Sequence, residues 1–354
     1  MKTFKNVVLF AALIALATVC FSAVAMAQNA QATPRYVTLP PHNTFNYNPP
    51  SNGATLAYFT INNPDIGSDR FIGNETNATT TSTVVIIPIK IVVGSDTFDP
   101  TAAINGGKSA IAQTIAGPLF TASQWTQGGT NLGNTQYEDA YTKGSLWQKA
   151  KNAANFHDLV TANPTIEPTV TITCSSPQCT TGINEFGGGQ TIAYVALPLI
   201  DAAVQTAIAA DGITANELPI AITYNEYMTS GGCCIGGYHS AYGGTGSQTY
   251  SVATYMTTNN TLVFSEDDGA LSHEMGEWYE DPWINNFACG GYMEVGDPLE
   301  TEPNYGLYNI PLGGYTYHLQ DLVFYPYFFQ TPSQAVNGWY TFQNESVSVC
   351  SRGQ

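Results

Sequence analysis

The sequence predicts an α+β protein built on a mixed sheet, and three observations lead there. Residues 83–94 form a near-continuous run of β-branched and aliphatic side chains, as a strand buried on both faces requires. Alanine-rich and mixed helical segments are interspersed with further short strand candidates instead of being grouped apart. No segment repeats at a fixed period, so a solenoid or propeller is not expected.

In chain order, Lys2 and Lys5 precede an apolar stretch at 7–19 and a small-x-small site at Ala25-Met26-Ala27, the pattern of a signal peptide spanning 1–27. Val19 makes Cys20 a poor lipid-anchor site, and no later stretch stays apolar for the ~18 residues of a membrane span. The expected product is secreted, extracellular or periplasmic, and monomeric. Residues 28–81, rich in Pro, Asn and Thr, read as an extended arm; 82–282 read as the main lobe and 283–354 as an aromatic, loop-rich C-terminal lobe. Pro88 marks a bulge or a switch between sheets, because proline cannot donate to a ladder. Residues 102–114 predict a helix broken by Gly117-Pro118, and 136–147 another that continues towards Phe156. Strands are expected at 170–173, 191–197, 218–224 and 248–256, and a helix at 201–210 ended by Gly212. Residues 231–246 read as a glycine- and cysteine-rich loop carrying Tyr238-His239-Ser240.

Ten basic residues stand against 27 acidic ones, a net charge of −17; loss of the two leader lysines takes it to about −19. Nucleic acid and anionic membranes are excluded as partners on that ground. Only 10% of residues are charged, and Thr, Asn, Gly, Tyr and Ser carry the polarity. Such a surface suits an acidic medium, where ion pairs fail, and equally an ordinary secreted protein. Six cysteines remain after the leader, an even number for an oxidising compartment. Cys174 and Cys179 are expected to close a short loop, Cys289 to reach Cys350, and the adjacent Cys233 and Cys234 to find different partners.

One stretch carries chemistry, residues 265–282. Ser265 is placed to cap a helix with Asp268 at its third position, and Pro282 to stop it. At 100° per residue, Leu271, Met275 and Trp278 share one face with Tyr279 nearby. His273, Glu277 and Glu280 share the other, flanked by Glu274 and Asp281, with Gly276 leaving room for an approaching group. An imidazole and a carboxylate at i and i+4 can hold one cation. Glu274 then stands beside it as general base for a metal-polarised water. An anionic Glu277 in place of a second histidine favours harder ions, so zinc is expected with calcium or manganese open. The plain alternative is a solvated acidic face. Glu294, 17 residues beyond Glu277, is the candidate third ligand, with Asp281, Glu280 and His239 as rivals. His318, in Tyr315-Thr316-Tyr317-His318, is a candidate oxyanion donor, as are Tyr315 and Tyr317.

This helix resembles the His-Glu-x-x-His helix of zinc metallopeptidases, with Glu277 replacing the second histidine. Ser272-His273-Glu274-x-x-Glu277 with Asp281-Pro282, together with Cys234-x-x-Gly237-Tyr238-His239-Ser240 and Glu294-x-Gly296-Asp297, is similar to a group of secreted bacterial zincin-like proteins, some of them similar to exordium-type proteins. The likeness covers residues 219–297. It implies a twisted mixed sheet over a metal-bearing helix, Glu294 as ligand, and Asp297 behind the site as partner to His273, with Asp281 in a similar supporting place. Trp283 occupies the position where a metzincin would place its third ligand, which argues against that branch. The resemblance implies a metal-dependent endopeptidase acting on a protein or peptide, the 248–256 strand lying along the cleft to pair with substrate. Two other readings remain: a scaffold that has lost its chemistry and binds carbohydrate through its aromatic residues, or a metal-free acid hydrolase using Glu274 and Glu277. No nucleophile elbow, dinucleotide fingerprint or P-loop occurs.

Overall fold

The branched run becomes the spine of the molecule. The computed structural model describes residues 80–347 apart from short internal stretches, the longest at 152–158 and 258–264, and two antiparallel strands ahead of them, Phe45–Tyr47 and Leu56–Tyr58. The signal peptide, most of the 28–81 arm, and Cys289 with Cys350 lie outside the described residues. In chain order the elements that matter begin with β1 (Val84–Val93), α1 (Ala110–Ile115), α2 (Tyr137–Ser145), β2 (Val170–Cys174), β3 (Thr191–Ala196) and α3 (Leu197–Ala210). They continue with β4 (Leu218–Tyr224), β5 (Glu226–Thr229), β6 (Gly237–Tyr242), β7 (Gln248–Tyr255), α4 (Gly269–Glu280), β8 (Leu307–Leu312) and β9 (Tyr315–Gln320).

The main sheet runs β2-β1-β4-β7-β6. Its first four strands are parallel neighbours, and β6 closes the path antiparallel to β7. Period two sorts β1 between two cores. Val84 and Ile86 join Leu218, Ile220, Ile222 and Ala253 beneath α4, whereas Ile87, Ile89 and Ile91 join Ala221, Val252 and the apolar side of α3. Pro88 sits where β1 changes partner: Val84 to Pro88 pair with β4, and Ile89 to Val93 pair with β2. The residue that lacks an N–H thus falls at the switch between ladders. A smaller sheet holds Cys179–Ile183, β3, β5 and Cys233–Ile235. The architecture is mixed α+β, and no helix among the described residues is long and apolar enough to cross a membrane.

Several expectations need correction. β7 lies between β4 and β6, so it is not an edge that a substrate can extend. The 102–114 helix shrinks to Ala110–Ile115, capped by Ser109, because Asn105 and Gly106 take positive φ in a turn closed by an Ala103–Ser109 bridge. The 201–210 helix begins earlier, at Leu197, since Pro198 suits a first turn whose N–H groups need no helical partner. The 231–246 loop contains two strands, Cys233–Ile235 and β6. Cys174 and Cys179 are at disulfide distance as expected, but so are Cys233 and Cys234 with each other. Pairing of Cys233–Ile235 with β5 holds both sulfurs in one short strand, and the other two described cysteines are already joined. Several residues beyond 283 pack into the main core. Leu319, Leu322, Val323, Phe324 and Phe342 share one core with α4, α2 and the main sheet, and the Tyr137 and Tyr141 hydroxyls donate to the carbonyls of Gln320 and Val323.

Candidate metal centre

α4 starts at Gly269, and its cap residue is Asp268, three residues after the expected cap Ser265. Residues 265–268 are held elsewhere: Met256 bridges Glu266, the Asp267 amide donates to the Met256 carbonyl, and Asp267 takes φ 35°, which no right-handed turn accepts. The helix ends at Glu280, with Asp281 as its C-cap just before Pro282. All twelve of its residues are buried. The acidic face therefore does not look out to solvent; β6 and the segment around Gly296 and Gln320 roof it. Gly276, expected to leave room for an outside group, instead admits Leu322, whose Cδ1 would lie 2.5 Å from an added Cβ.

Strand alternation delivers the second imidazole. On β6, Tyr238 turns towards α3, where its hydroxyl donates to Asp201 at 3.0 Å. Its neighbour His239 must then face α4. His239 Nδ1 lies 3.5 Å from Glu274 Oε2 and 3.6 Å from Glu277 Oε2. His273 Nε2 lies 3.0 Å from Glu277 Oε1, 3.6 Å from Asp297 Oδ1 and 3.9 Å from Glu274 Oε1. Each imidazole has its other nitrogen tied down. His273 Nδ1 donates to Gln320 Oε1, whose own amide donates to the Gly296 carbonyl, and His239 Nε2 donates to the Asp281 carbonyl at 3.1 Å. Those bonds assign the tautomers and aim the remaining lone pairs into the carboxylates, the arrangement that metal-binding histidines share.

The donor set fits a divalent cation on three counts. His239 Nδ1, Glu274 Oε2, Glu277 Oε2 and both Glu294 oxygens are buried side-chain atoms without a hydrogen-bond partner among the described residues. Three groups each bring their donor atoms within 4.8 Å of one another: His273 with Glu274 and Glu277, His239 with Glu277 and Glu294, and His273 with Asp297 and Glu300. Two glycines hold the walls close. A Cβ on Gly296 would fall 2.4 Å from His273 Nδ1, and one on Gly237 would fall 2.7 Å from Glu274 Cγ. A recess of about 20 Å³, lined in part by Gly237, His273, Glu274, Glu300 and Gln320, has room for one water.

The electrostatics express the crowding of like charge. Burial pushes Glu274 upward although both histidines oppose it. Burial and neighbouring carboxylates push Glu294 and Asp297 well up and take Glu300 to about 7. Glu277 goes the other way: burial opposes its charge, but His273 and His239 hold it below the ordinary carboxylate range. Burial disfavours charge on both imidazoles, yet the surrounding glutamates outweigh it and raise them well above the usual value. Anions gathered this tightly call for protons or cations between them.

The sequence-predicted residues separate as follows. His273, Glu277 and Glu274 are brought together. Glu294 joins the cluster through His239, at 3.9 Å from its Nε2, and not through His273. Asp297 faces His273 Nε2, the nitrogen that also faces Glu277, whereas Gln320 occupies the orienting place at Nδ1. Asp281 supports the site with its main-chain carbonyl. His318 stands outside these groups: its Nδ1 contacts Asp267 Oδ2 at 2.7 Å and its amide donates to Asp267 Oδ1, ahead of the helix. Tyr315 and Tyr317 also point elsewhere, their hydroxyls donating to Asp267 and to the Gln113 carbonyl respectively. Sequence reading missed Gln320, Glu300 and the close approach of Gly296. Gln320 shares a strand face with His318, two residues away, so alternation along β9 carried a usable signal.

Gly296 has an unremarkable φ of −88°, so alanine there meets only the steric obstacle. Gly296→Ala is expected to lower stability by about 2 kcal/mol and weaken divalent-cation binding at least about tenfold by displacing His273. Thermal melts and cation titrations check this, and an unchanged affinity would count against His273 as a ligand. No protein family, curated protein or solved structure matches the chain.

Proposed function

We propose that this chain is an exported, zincin-like metal-dependent hydrolase that cleaves peptide bonds. The observation that carries the reading is the pairing of His273 Nε2 with Glu277 Oε1 at 3.0 Å on one buried helix, with Glu274 beside both and a water-sized recess against it. His273 and Glu277 hold the ion, Asp297 completes its protein ligands, and Gln320 sets the His273 ring. Zinc is the favoured ion, with manganese or calcium compatible with so many oxygens. When bound, such an ion polarises a carbonyl and acidifies water. Glu274 takes the proton from a water in the recess and passes it to the departing amine. Gly236, Gly237, Tyr305 and Leu307 also line the recess.

The test combines metal analysis of the purified protein with digestion of a degenerate peptide library read by mass spectrometry. Bound divalent metal, cleavage abolished by a chelator, and recovery on adding zinc or manganese are expected. Cleavage that survives complete metal removal would overturn the reading, as would a protein that binds no divalent ion at micromolar concentration.

A further inference from the structure

Glu277 is shared, and the sharing has a geometry. One carboxylate oxygen faces His273 at 3.0 Å and the other faces His239 at 3.6 Å. Glu274 repeats the pattern, with Oε1 3.9 Å from His273 and Oε2 3.5 Å from His239. The two imidazoles thus stand on opposite sides of a carboxylate pair, each with its outer nitrogen anchored by a carbonyl oxygen. Each side also has further acids: Asp297 and Glu300 beside His273, and Glu294 beside His239, where its Oε2 lies 3.9 Å from Nε2 and a ligand atom from each of His239, Glu277 and Glu294 falls within 4.8 Å of the others.

We propose that the centre is binuclear, with a second divalent cation held by His239, Glu277 and Glu294, and Glu277 bridging it to the first. This rests on the metal-centre reading above and extends it. His239 Nδ1 and both Glu294 oxygens are buried and lack hydrogen-bond partners, which gives the second position its own orphaned donors. His239 is 1% exposed and Glu294 6%, so water cannot serve these atoms from outside. Charge points the same way. Five carboxylates, on Glu274, Glu277, Glu294, Asp297 and Glu300, meet two imidazoles, and the histidines are the only bases paired with the cluster among the described residues. With neutral imidazoles and all five carboxylates ionised, one divalent ion leaves three negative charges uncompensated and two ions leave one. A bridging carboxylate matches the ~3.5–4 Å separation at which paired ions clamp a common water. Glu274 lies between the positions, where a water shared by both ions would give up its proton. The competing arrangement is a doubly protonated His239 that acts as the cation itself.

Metal content of the wild-type chain, dialysed against zinc or manganese and measured by elemental analysis, separates these cases. Two ions per chain are expected, with exchange-coupled electron paramagnetic resonance for the manganese form. His239→Ala and the gentler Glu294→Gln should each fall to one ion while retaining the tighter one; circular dichroism and a melt establish that each is folded. One ion in the wild-type chain, unaffected by Glu294→Gln, overturns the proposal and leaves the single-metal hydrolase standing. No ion at all defeats both. Imidazolium ¹⁵N shifts for His239 in the metal-saturated protein would also sink the second position, because a ring protonated on both nitrogens cannot bind an ion.

Discussion

Glu274→Gln should leave metal content unchanged and reduce peptide cleavage by about 10³-fold, within the range that a general base contributes. Glutamine keeps the length and shape of the side chain, and shape is constrained here. Gly237 leaves so little room that any Cβ would meet Glu274 Cγ at 2.7 Å. What is lost is the ability to accept a proton on a carboxylate whose two oxygens face the two histidines, Oε1 towards His273 and Oε2 towards His239. Binding of substrate should be largely spared, so kcat falls while KM moves little. The measurement is turnover on a peptide selected from the library, with elemental analysis on the same preparation. Cleavage at the wild-type rate by a metal-loaded Glu274→Gln chain would remove Glu274 from the chemistry and shift the base to another carboxylate of the cluster.

Why Glu274, His273 and Glu277 could be read from the chain, and the rest of their surroundings could not, follows from locality. The three sit within five residues, so helix geometry alone brings them together. Glu294 was found as an acid at a plausible return distance, but sequence offset says nothing about which imidazole it meets. The structure puts it by His239 because β6 ends the sheet over the helix and alternation turns Tyr238 to α3 and His239 to α4. Gln320 is 47 residues from its partner His273. Only the β8–β9 hairpin, docked against α4 through Leu319 and Leu322, carries it there. Reading 231–246 as a loop hid the period-two signal that would have assigned His239 to the face of the helix.

The fold divides in the same way. β1 was plain because eight Val and Ile residues among ten can satisfy only a strand sandwiched between two apolar layers, and β4 was delimited by the same pattern. Strand order was not readable. β7 alternates in sequence like an edge or half-exposed strand, yet all eight of its residues are buried, with Thr249, Ser251 and Thr254 placed inside. Small hydroxyl side chains stand in for apolar ones on both faces of β7, so composition understates burial. In the C-terminal segment, read as aromatic and loop-rich, Phe324, Phe328 and Phe342 fill the core shared with α4 and the main sheet.

Glu226 should make the protein lose stability as pH rises, and Glu226→Gln should remove that loss. The side chain is fully buried on β5, with one oxygen accepting from the Thr223 hydroxyl at 2.8 Å and the other without a hydrogen-bond partner among the described residues. Burial takes it from 4.5 to about 8, with Thr223 opposing only weakly. The folded chain then keeps its proton where the unfolded chain has released it. The stabilising contribution is complete below about pH 4.5, declines as pH rises, and is gone above about pH 8. At about 1.4 kcal/mol per pH unit the swing is on the order of 3–5 kcal/mol. Glutamine cannot ionise, so its curve lacks this slope; any cost of an imperfectly paired amide is a constant offset that drops out of the comparison. Urea unfolding of both proteins from pH 4.5 to 8.5, at fixed metal concentration, gives the difference directly. The gap between variant and wild type should move in the variant's favour by several kcal/mol across that range, and parallel curves would mean that Glu226 is ionised in the folded protein with a compensating cation beside it.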